Sequence, residues 1–413
     1  MIDRLNVTMD FGAGADERPV GQMGWDGRAR HAVLEWDRTF AAVPLPISPV
    51  HIKSQAGLLR PTSRAFGDLP AVFGDSLPDG WGKLLVDREL QARGVRLDEI
   101  TDMDRLAMVG STGMGALTYR PAQYPDPEDD FDLDWFERLV PEVDGGATAG
   151  ELERLRAVAG GSQGARPKFV AQLAADGARL RDHRAALEEG WRHVLVKRRA
   201  LQDPVGTVEV EAAYAMMARA AGIEMSWTGV LHATSGEPFF ATERFDRPDG
   251  GRLHMQTVAA LFAVDFREAY LDYKELLRLT RFMTRDARAA EQIYRRMVFN
   301  ARTHNRDDHL KNHAFLMDSA GGWRLAPAYD VTYSSGPGGE HTLTIADEGR
   351  RPGRESFAAV ARESGISARR AAEIVDEVDG AAADWLEYAD ATGVPPQLRR
   401  EISEQMKRAA GWF

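Results

Sequence analysis

The segment from Phe299 to Phe315 reads FNARTHNRDDHLKNHAF and holds several side chains that could carry out chemistry. Asp307 and Asn312 stand five positions apart, and Arg306 directly precedes the aspartate. A carboxylate can accept or orient the proton of an attacking hydroxyl, and an amide oxygen can hold a magnesium ion against a triphosphate. A loop that returns after five residues can supply both groups, so this spacing predicts phosphoryl transfer.

The same D-x-x-x-x-N spacing occurs in the catalytic loop of protein kinases. Such a site needs a second metal ligand, and Asp330 in WRLAPAYDVTYS is the candidate, at the expected end of a strand. Lys311 lies in the loop itself and could offer positive charge to the transferred phosphoryl group. We therefore expect Asp307 to act as the base, Asn312 and Asp330 to bind magnesium, and Lys311 to assist catalysis.

Three further signals precede this loop in the order found in kinases. The stretch GGSQGARPK, residues 160–168, contains small residues whose main-chain N–H groups can approach an anion, although it lacks the Walker pattern. HVLVK reads as a buried strand that ends on Lys197, and Glu211 follows in a helical segment. A strand lysine paired with a helix glutamate orients nucleotide phosphates in kinases.

Each signal taken alone has an ordinary explanation. Lys197 suits the exposed end of a strand, Glu211 a solvated helix face, and Asp330 the cap of a turn. The common order of all the signals along the chain favours a kinase-like site over these separate explanations. Two alternatives stay open: a kinase-like nucleotide-binding regulator, and a metal-dependent hydrolase. The hydrolase would use the histidine cluster His304, His309 and His313 with Asp307 and Asp308.

The elements that must position these residues can be predicted from local patterns. Residues 20–36 suggest a β-hairpin, because Asp26-Gly27 interrupts two apolar runs. Pro78-Asp79-Gly80 predicts the start of an amphipathic helix, and the GSTGMGALTYRP stretch predicts a glycine-rich loop with a short strand. The composition changes near residue 122, where we place a domain boundary.

The middle of the chain is predicted to be β-rich and the last third mostly helical. Strands are expected at residues 168–173, 191–198 and 238–245, with a helix at about 207–221. Apolar residues at helical spacing predict the later helices, and they are Ile293, Met297 and Ala301, and then Ala371, Ile374, Val375 and Val378.

Composition limits the class of protein. A length of 413 residues suggests two or three domains at about 150 residues each. The net charge of −11 argues against a uniform basic surface that coats nucleic acid. The absence of cysteine removes thiol chemistry and cysteine-based zinc sites. No run approaches the roughly 18 apolar residues of a membrane span, and we expect no membrane contact and a cytoplasmic location.

The motifs together resemble the HipA family, the serine/threonine-kinase toxins of bacterial toxin–antitoxin modules. FGDSLPDGWGKLLVDREL and GSTGMGALTY are similar to the HipA N-terminal domain. GARPK, HVLVK, ERFDR, NRDDHLKN and LAPAYDV are similar to successive motifs of the kinase core, in family order. The resemblance covers nearly the whole chain. It implies an α+β, two-lobed kinase-like fold, with a β-rich N-terminal domain (1–122), a nucleotide lobe (123–250) and an all-α C-terminal lobe (251–413).

The resemblance also implies ATP and Mg²⁺ as cofactors and assigns residues to them. The expected nucleotide-binding set is Gly161, Ser162, Gln163, Gly164, Ala165, Arg166, Lys168, Lys197, Glu211, Glu243, Arg244, Phe245, His309, Asn312, Tyr329 and Asp330. Within it, Glu243 to Phe245 would form the hinge that meets adenine. Family members often carry an autophosphorylated serine in the glycine-rich loop, and Ser162 is the candidate in this chain.

Substrate and partners are likewise implied by the resemblance. The γ-phosphate would pass to the hydroxyl of a protein, typically the glutamyl-tRNA synthetase or another aminoacyl-tRNA synthetase, and translation would stop. A HipB-like helix-turn-helix antitoxin would bind the toxin, and DNA would be contacted only through that complex. The acidic balance of the chain agrees with such an indirect contact.

Overall fold

The computed structural model describes residues 2–12, 14–122, 132–144, 146–161, 164–268 and 270–412. These residues form two compact units, each built from several stretches of the chain. Unit 1 comprises Met1–Ala200, Leu231–Asp265 and Leu316–Gly322, and unit 2 comprises Leu201–Val230, Phe266–Phe315 and Trp323–Phe413. The predicted division into three domains at residues 122 and 250 stays a prediction.

The strands of the described residues are, in chain order, β1 (Arg4–Met9), β2 (Arg18–Asp26), β3 (His31–Trp36), β4 (Leu58–Leu59), β5 (Leu117–Arg120), β6 (Lys168–Ala174), β7 (Leu180–Asp182), β8 (Trp191–Lys197), β9 (Thr228–His232), β10 (Pro238–Glu243), β11 (His254–Thr257), β12 (Leu271–Asp272), β13 (Ala314–Met317), β14 (Trp323–Leu325) and β15 (Leu343–Thr344).

The helices of the described residues are, in the same order, α1 (Arg38–Ala42), α2 (Ala71–Gly74), α3 (Gly80–Ala92), α4 (Asp102–Val109), α5 (Leu133–Leu139), α6 (Ala149–Ala159), α7 (Thr207–Ala220), α8 (Val258–Phe262), α9 (Tyr273–Thr284), α10 (Ala287–Thr303), α11 (Arg354–Glu363), α12 (Ala368–Ala383), α13 (Trp385–Thr392) and α14 (Pro396–Ala410).

The first sheet of unit 1 has the strand order β4-β3-β2-β1-β5. β2 and β3 pair in antiparallel fashion with Asp26 opposite His31, so the predicted hairpin is confirmed. In β3 the side chains alternate between the core and the outside, with Ala32, Leu34 and Trp36 buried. This period of two is the pattern expected of a sheet that has one face against a core.

The second sheet has the order β7-β6-β8-β10-β9, and β6 is buried along its whole length. The predicted strands at 168–173, 191–198 and 238–245 correspond to β6, β8 and β10. The helices α5 and α6 were not predicted, because they follow an acidic and glycine-rich stretch. The N-terminus of each helix is nevertheless capped by a residue next to it in sequence. Asp132 caps α5, and Thr148 forms a reciprocal capping box with Glu151 in α6.

A buried ion cluster around Asp246 joins two parts of unit 1 that are far apart in sequence. The Asp246 carboxylate accepts hydrogen bonds from Arg244 (2.9 Å), Arg247 (2.6 Å) and the main-chain N–H of Gly115 (2.8 Å). The two guanidinium groups also donate to the carbonyl of Gly113. The ERFDR motif therefore holds the GSTGMG loop of the N-terminal region against the end of β10.

Unit 2 is mainly helical, and its core follows the predicted period. The side chains predicted to line the helix cores are buried, and they are Ile293, Met297, Ala301, Ala371, Ile374, Val375 and Val378. Tyr214 of α7 packs edge-on against Trp385 of α13, with ring centroids 5.6 Å apart. β12 and β15 form a short parallel pair within this unit.

The predicted fold class is confirmed: helices and sheets are mixed, with a β-rich N-terminal part and a helical C-terminal part. Among the helices formed by the described residues, none combines the length and the apolar character that crossing a bilayer requires.

The Asp246 cluster yields a stability prediction. Asp246→Asn leaves two buried guanidinium groups without their carboxylate, and we expect unfolding to become easier by about 3 kcal/mol. Burial alone would raise the pKa of the Asp246 carboxyl, but Arg244 and Arg247 outweigh it and hold the pKa below its usual range. The Asp246 carboxylate therefore stabilises the folded protein at pH 7. This stabilisation decreases as the pH falls from the usual pKa of an aspartate to the lower pKa of Asp246 in the folded protein.

Thermal and urea unfolding of the full chain measure this effect. Glu17→Gln, which removes an exposed partner of Arg120, is the control and should cost less than about 1 kcal/mol. An equal decrease in the free energy of unfolding in the two variants would contradict the assigned role of Asp246.

Candidate active site

A cleft in unit 2 gathers the residues predicted to do the chemistry. Asp307, Asn312 and Asp330 all line it, together with Tyr329 and the buried Asp308. The two residues of the D-x-x-x-x-N pattern and the later aspartate therefore lie in one cleft, although Asp330 lies 18 residues beyond Asn312. The other lining side chains are Ile223, Arg296, Phe299, Asn300, Asn305, His313, Ala328 and Val331.

Helix α10 delivers the catalytic loop to this cleft. The helix ends at His304, which adopts a left-handed conformation (φ 61°) and donates its main-chain N–H to Asn300. The His304 ring stacks on Tyr333 at 5.5 Å, and its Nδ1 lies 3.3 Å from the carbonyl of Ser334. Burial lowers the pKa of His304 to about 4, so this ring is neutral at pH 7. The left-handed turn redirects the chain into the loop that carries Asp307.

The loop closes on itself through Asn312. The side-chain Nδ2 of Asn312 donates to the main-chain carbonyl of Asp307 (2.7 Å), and its main-chain N–H donates to His309 (2.8 Å). The Tyr329 hydroxyl donates to the carbonyl of Lys311 (2.6 Å) and ties the loop to the segment of Asp330. Since the amide nitrogen of Asn312 is engaged, its Oδ1 is the acceptor that is left for a ligand.

The donor set of the cleft fits a magnesium ion. The Oδ1 of Asn312 and the carboxylate of Asp330 are oxygen ligands of the kind Mg²⁺ prefers, and both line the same cleft. A site with two protein ligands leaves the remaining positions for water and phosphate oxygens.

Asp330 does not lie at a strand end, and this part of the prediction was wrong. β14 ends at Leu325, and Asp330 follows in irregular chain with a φ of 53°. Pro327 has no N–H to continue a strand ladder. The chain is held instead by the Ala328 N–H, which donates to the carbonyl of Glu224 (2.8 Å).

The two adjacent aspartates have opposite surroundings. The Asp307 side chain is 54% exposed, with Nε2 of His309 at 3.7 Å from its carboxylate. The Asp308 side chain is fully buried and accepts from the Tyr273 hydroxyl (2.9 Å) and from the main-chain N–H of Thr342 (2.9 Å). Sequence analysis named Asp308 only as a possible member of a histidine cluster and missed this structural role.

Asp308 is also paired with a buried histidine. The Nδ1 of His341 lies 3.1 Å from the Asp308 carboxylate. Burial alone would raise the pKa of the Asp308 carboxyl, but His341 and the hydrogen bond from Tyr273 lower it. The network continues from Tyr273 through Asn300 to Asn305, with hydrogen bonds of 3.0 Å at each step. Asp308 is therefore an ionised structural anchor, and Asp307 is the aspartate that is open to a substrate.

Lys311 and His309 share an aromatic neighbour. The ammonium of Lys311 lies 5.1 Å from the ring centroid of Phe266, and the ring of His309 lies 4.6 Å from it. Both side chains are partly buried. Their predicted roles toward the phosphoryl group and the nucleotide stay predictions.

The three histidines of the alternative hydrolase site have separate surroundings. His304 stacks on Tyr333, His309 packs on Phe266, and His313 is buried edge-on to Tyr273. In the part of the chain that the structure describes, no group of three or more His, Cys, Asp or Glu side chains is placed to hold a metal. The geometry thus lends no support to a histidine-based metal site.

Unit 1 carries Lys197, predicted to meet the nucleotide phosphates, and Lys168, predicted to bind nucleotide. Lys168 on β6 and Lys197 on β8 are directly opposite each other in an antiparallel pair, and both are buried. Opposite residues share a face of the sheet. Gly164 adopts a φ of 101°, and a Cβ added there would lie 2.3 Å from Nζ of Lys168. The glycine-rich loop therefore brings its main chain close to an ammonium group, as an anion site requires.

The FGDSLPDGWG motif holds this loop in place. The carboxylate of Asp79 accepts from the N–H of Gly164, whose carbonyl accepts from the N–H of Trp81 (3.1 Å). The indole N–H of Trp81 donates to the carbonyl of Lys168 (3.1 Å). Gly80 is required there, because an added Cβ would lie 2.6 Å from the Gly164 carbonyl oxygen. Sequence analysis had assigned no such contact to Asp79 or Trp81.

The rest of the predicted loop is described in part. Gly161 has a φ of 62° and packs near Val109, while Ala165 is exposed and Arg166 is half-buried. Ser162, the autophosphorylation candidate, and Gln163 lie outside the described residues.

The predicted hinge residues have different environments. Glu243 is 42% exposed and lies 3.8 Å from Arg192, and Phe245 is half-buried. The Arg244 side chain is buried and engaged with Asp246 and the Gly113 carbonyl. These hydrogen bonds give the Arg244 side chain a structural role. Nucleotide binding by Glu243, Arg244 and Phe245 stays a prediction.

Glu211 is buried on α7 and belongs to unit 2, whereas Lys197 belongs to unit 1. Their predicted pairing stays a prediction.

Comparison with known proteins identifies relatives of the chain. Its residues 160–409 match the HipA-like C-terminal domain, and residues 13–120 match the HipA N-terminal domain. The protein Y4dM of Sinorhizobium fredii, which carries a kinase name, is 32% identical over 139 residues. That match covers 30% of this chain and 34% of Y4dM, so the chain spans about a third of the length of this curated relative.

A solved structure supports the fold over almost the full length. The complex of HipA, HipB and operator DNA from Shewanella oneidensis MR-1 contains a chain that superposes with a TM-score of 0.69 at 17% identity. The superposition covers 98% of each chain. Since the C-terminal domain match alone spans more than half of the sequence, the chain belongs to the HipA family.

Proposed function

We propose that the chain is a HipA-type serine/threonine protein kinase that transfers the γ-phosphate of ATP to a protein hydroxyl. One observation carries the proposal: Asp307, the predicted base, and Asn312 and Asp330, the predicted magnesium ligands, line a single cleft. Membership of the HipA family and the kinase name of Y4dM support it.

In this proposal the exposed Asp307 carboxylate orients the acceptor hydroxyl and receives its proton. Asn312, through Oδ1, and Asp330 would hold magnesium, which neutralises charge on the phosphate oxygens when it is bound. The fixed carboxamide of Asn312 means that this ligand is already oriented before nucleotide arrives. The predicted contact of Lys197 with the nucleotide phosphates stays a prediction.

The biological setting is proposed from the family. The acceptor would be an aminoacyl-tRNA synthetase, with the glutamyl enzyme as the first to test. The partner would be a HipB-like helix-turn-helix antitoxin, as in the Shewanella complex, and DNA would be reached through that partner. The net charge of −11 agrees with DNA contact through a basic partner. A cytoplasmic location and autophosphorylation at Ser162 stay predictions.

Removal of the Asp307 charge tests the proposed reaction. The purified chain is incubated with γ-labelled ATP and MgCl₂, with glutamyl-tRNA synthetase and its tRNA as acceptor, and with myelin basic protein as a general acceptor. Asp307→Asn should lower the initial rate of phosphate transfer by about 10²- to 10⁴-fold. Its melting temperature should stay near that of wild type, because the side chain is half exposed.

Asp376→Asn is the matched control, since Asp376 is an exposed carboxylate on α12, and its rate should equal that of wild type. Wild type that labels neither itself nor an acceptor would contradict the kinase proposal. Full activity of Asp307→Asn would contradict the assigned base.

Magnesium dependence tests the ligand assignment. Asp330→Asn keeps a side chain that tolerates the left-handed backbone but removes the charge that would bind the cation. The MgCl₂ concentration needed for half-maximal binding of a fluorescent ATP analogue should rise by at least about tenfold. An unchanged magnesium requirement, with Asp376→Asn as control, would show that Asp330 is not a ligand.

A further inference from the structure

The chain that follows Asp330, residues 331–350, is fastened to the catalytic loop by the residues on both sides of Asp307. We call it the post-Asp330 segment. In protein kinases the corresponding segment commonly becomes ordered only after phosphorylation, when an arginine pairs with the new phosphate. In this protein the post-Asp330 segment is held by hydrogen bonds to Arg306 and Asp308, without a phosphate.

Arg306 binds the segment through main-chain carbonyl groups. Its Nη1 donates to the carbonyl of Gly339, and its Nη2 donates to the carbonyl of Arg350 (2.7 Å). The main chain of Arg306 adds two bonds, from its N–H to Ser334 (3.2 Å) and from the Thr342 hydroxyl to its carbonyl (3.2 Å). Among the described residues, no carboxylate lies within ion-pair distance of the buried Arg306 guanidinium. Two of the three guanidinium nitrogens, Nη1 and Nη2, are therefore engaged by neutral groups of the segment, while the buried Nε has no hydrogen-bond partner among the described residues. The two bonds hold the side chain without a phosphate.

Asp308 fixes the same segment from the other side of Asp307. Its carboxylate accepts from the N–H groups of Thr342 (2.9 Å) and Leu343 (3.4 Å), and it lies 3.1 Å from Nδ1 of His341. Three consecutive residues of the segment thus contact one buried charge. Charged acceptors form stronger hydrogen bonds than neutral ones, particularly where water is excluded.

Gly336 allows the segment to approach the loop closely. It has a φ of 69°, and an added Cβ would lie 2.6 Å from Cβ of Arg306 and 2.2 Å from the carbonyl oxygen of Glu340. A larger residue would push the segment away from Arg306. The backbone of the segment is therefore shaped for this contact.

Three hydroxyl groups of the segment form hydrogen bonds. Thr342 donates to the Arg306 carbonyl, Thr344 donates to Asp272 (2.8 Å), and the Ser334 hydroxyl accepts from the N–H of Gly336 (3.3 Å). Ser335 is exposed and is the hydroxyl most open to a modifying enzyme. Phosphorylation there would meet an Arg306 side chain whose Nη1 and Nη2 already donate to carbonyl groups of the segment.

We propose that Arg306 is a positioning residue that keeps the post-Asp330 segment in its working arrangement, so that activity needs no phosphorylation of this segment. The inference rests on the proposed kinase function. Arg306 does not line the cleft and acts through the segment that begins there at Val331, so its loss should affect phosphate transfer more than nucleotide binding.

Two sets of variants test this inference with wild type as reference. Arg306→Ala removes the donors, whereas Arg350→Ala removes an exposed side chain and keeps the carbonyl that accepts from Arg306. We expect Arg306→Ala to lower the initial rate of phosphate transfer to myelin basic protein at least about tenfold, as for a small misplacement of reacting groups. Binding of the fluorescent ATP analogue with MgCl₂ should stay within about twofold, and Arg350→Ala should match wild type in both measurements.

The second set addresses phosphorylation directly. Ser335→Ala and Ser335→Glu should both transfer phosphate at the wild-type rate, and mass spectrometry should find active protein with residues 331–350 unmodified. A rate that depends on phosphate in this segment, or a rate for Ser335→Glu more than about tenfold above that of Ser335→Ala, would overturn the inference, as would an unaffected Arg306→Ala. A wild-type chain that transfers no phosphate at all would instead contradict the kinase proposal.

Discussion

The burial of the Asp308 carboxylate is the constraint on which the candidate site depends. A buried ionised group is costly unless its oxygens are fully satisfied. Here the donors come from α9 and from residues 341–343, far apart in sequence. Meeting this requirement fixes the loop 305–312 and the chain after Asp330 at the same time. Stability and catalytic geometry therefore have one common physical origin.

Neighbouring residues on such a fixed loop face different environments. Arg306 and Asp308 are buried and bind other parts of unit 2, so Asp307 between them is directed to the cleft. An exposed carboxylate on a rigid support can orient a substrate hydroxyl with little reorganisation. The turn that returns Asn312 to the carbonyl of Asp307 fixes the orientation of the Asn312 carboxamide in the same loop.

Local features of the site could be predicted from sequence, and distant ones could not. The spacing of Asp307 and Asn312 was informative because a short turn brings them together. The role of Asp308 was missed because its partners Tyr273 and His341 are more than 30 residues away. For the same reason the placement of Asp330 at a strand end was wrong, since β14 ends at Leu325 and a contact with Glu224 holds the chain beyond it. Hydrophobic periodicity predicted the helix cores well, because burial repeats at helix spacing, whereas the fold class was implied by the resemblance to the HipA family.

In the proposed mechanism, the Asp307 loop and Asp330 form one magnesium–nucleotide site. A crystal structure of the protein with Mn²⁺ and a non-hydrolysable ATP analogue tests it most directly, because the anomalous signal locates the metal. We predict a metal peak bound by Oδ1 of Asn312 and the Asp330 carboxylate, at roughly 2.0 to 2.3 Å, with Asp308 still bound to Tyr273 and His341. A nucleotide-bound metal held by other side chains, or by Asp308, would contradict the account.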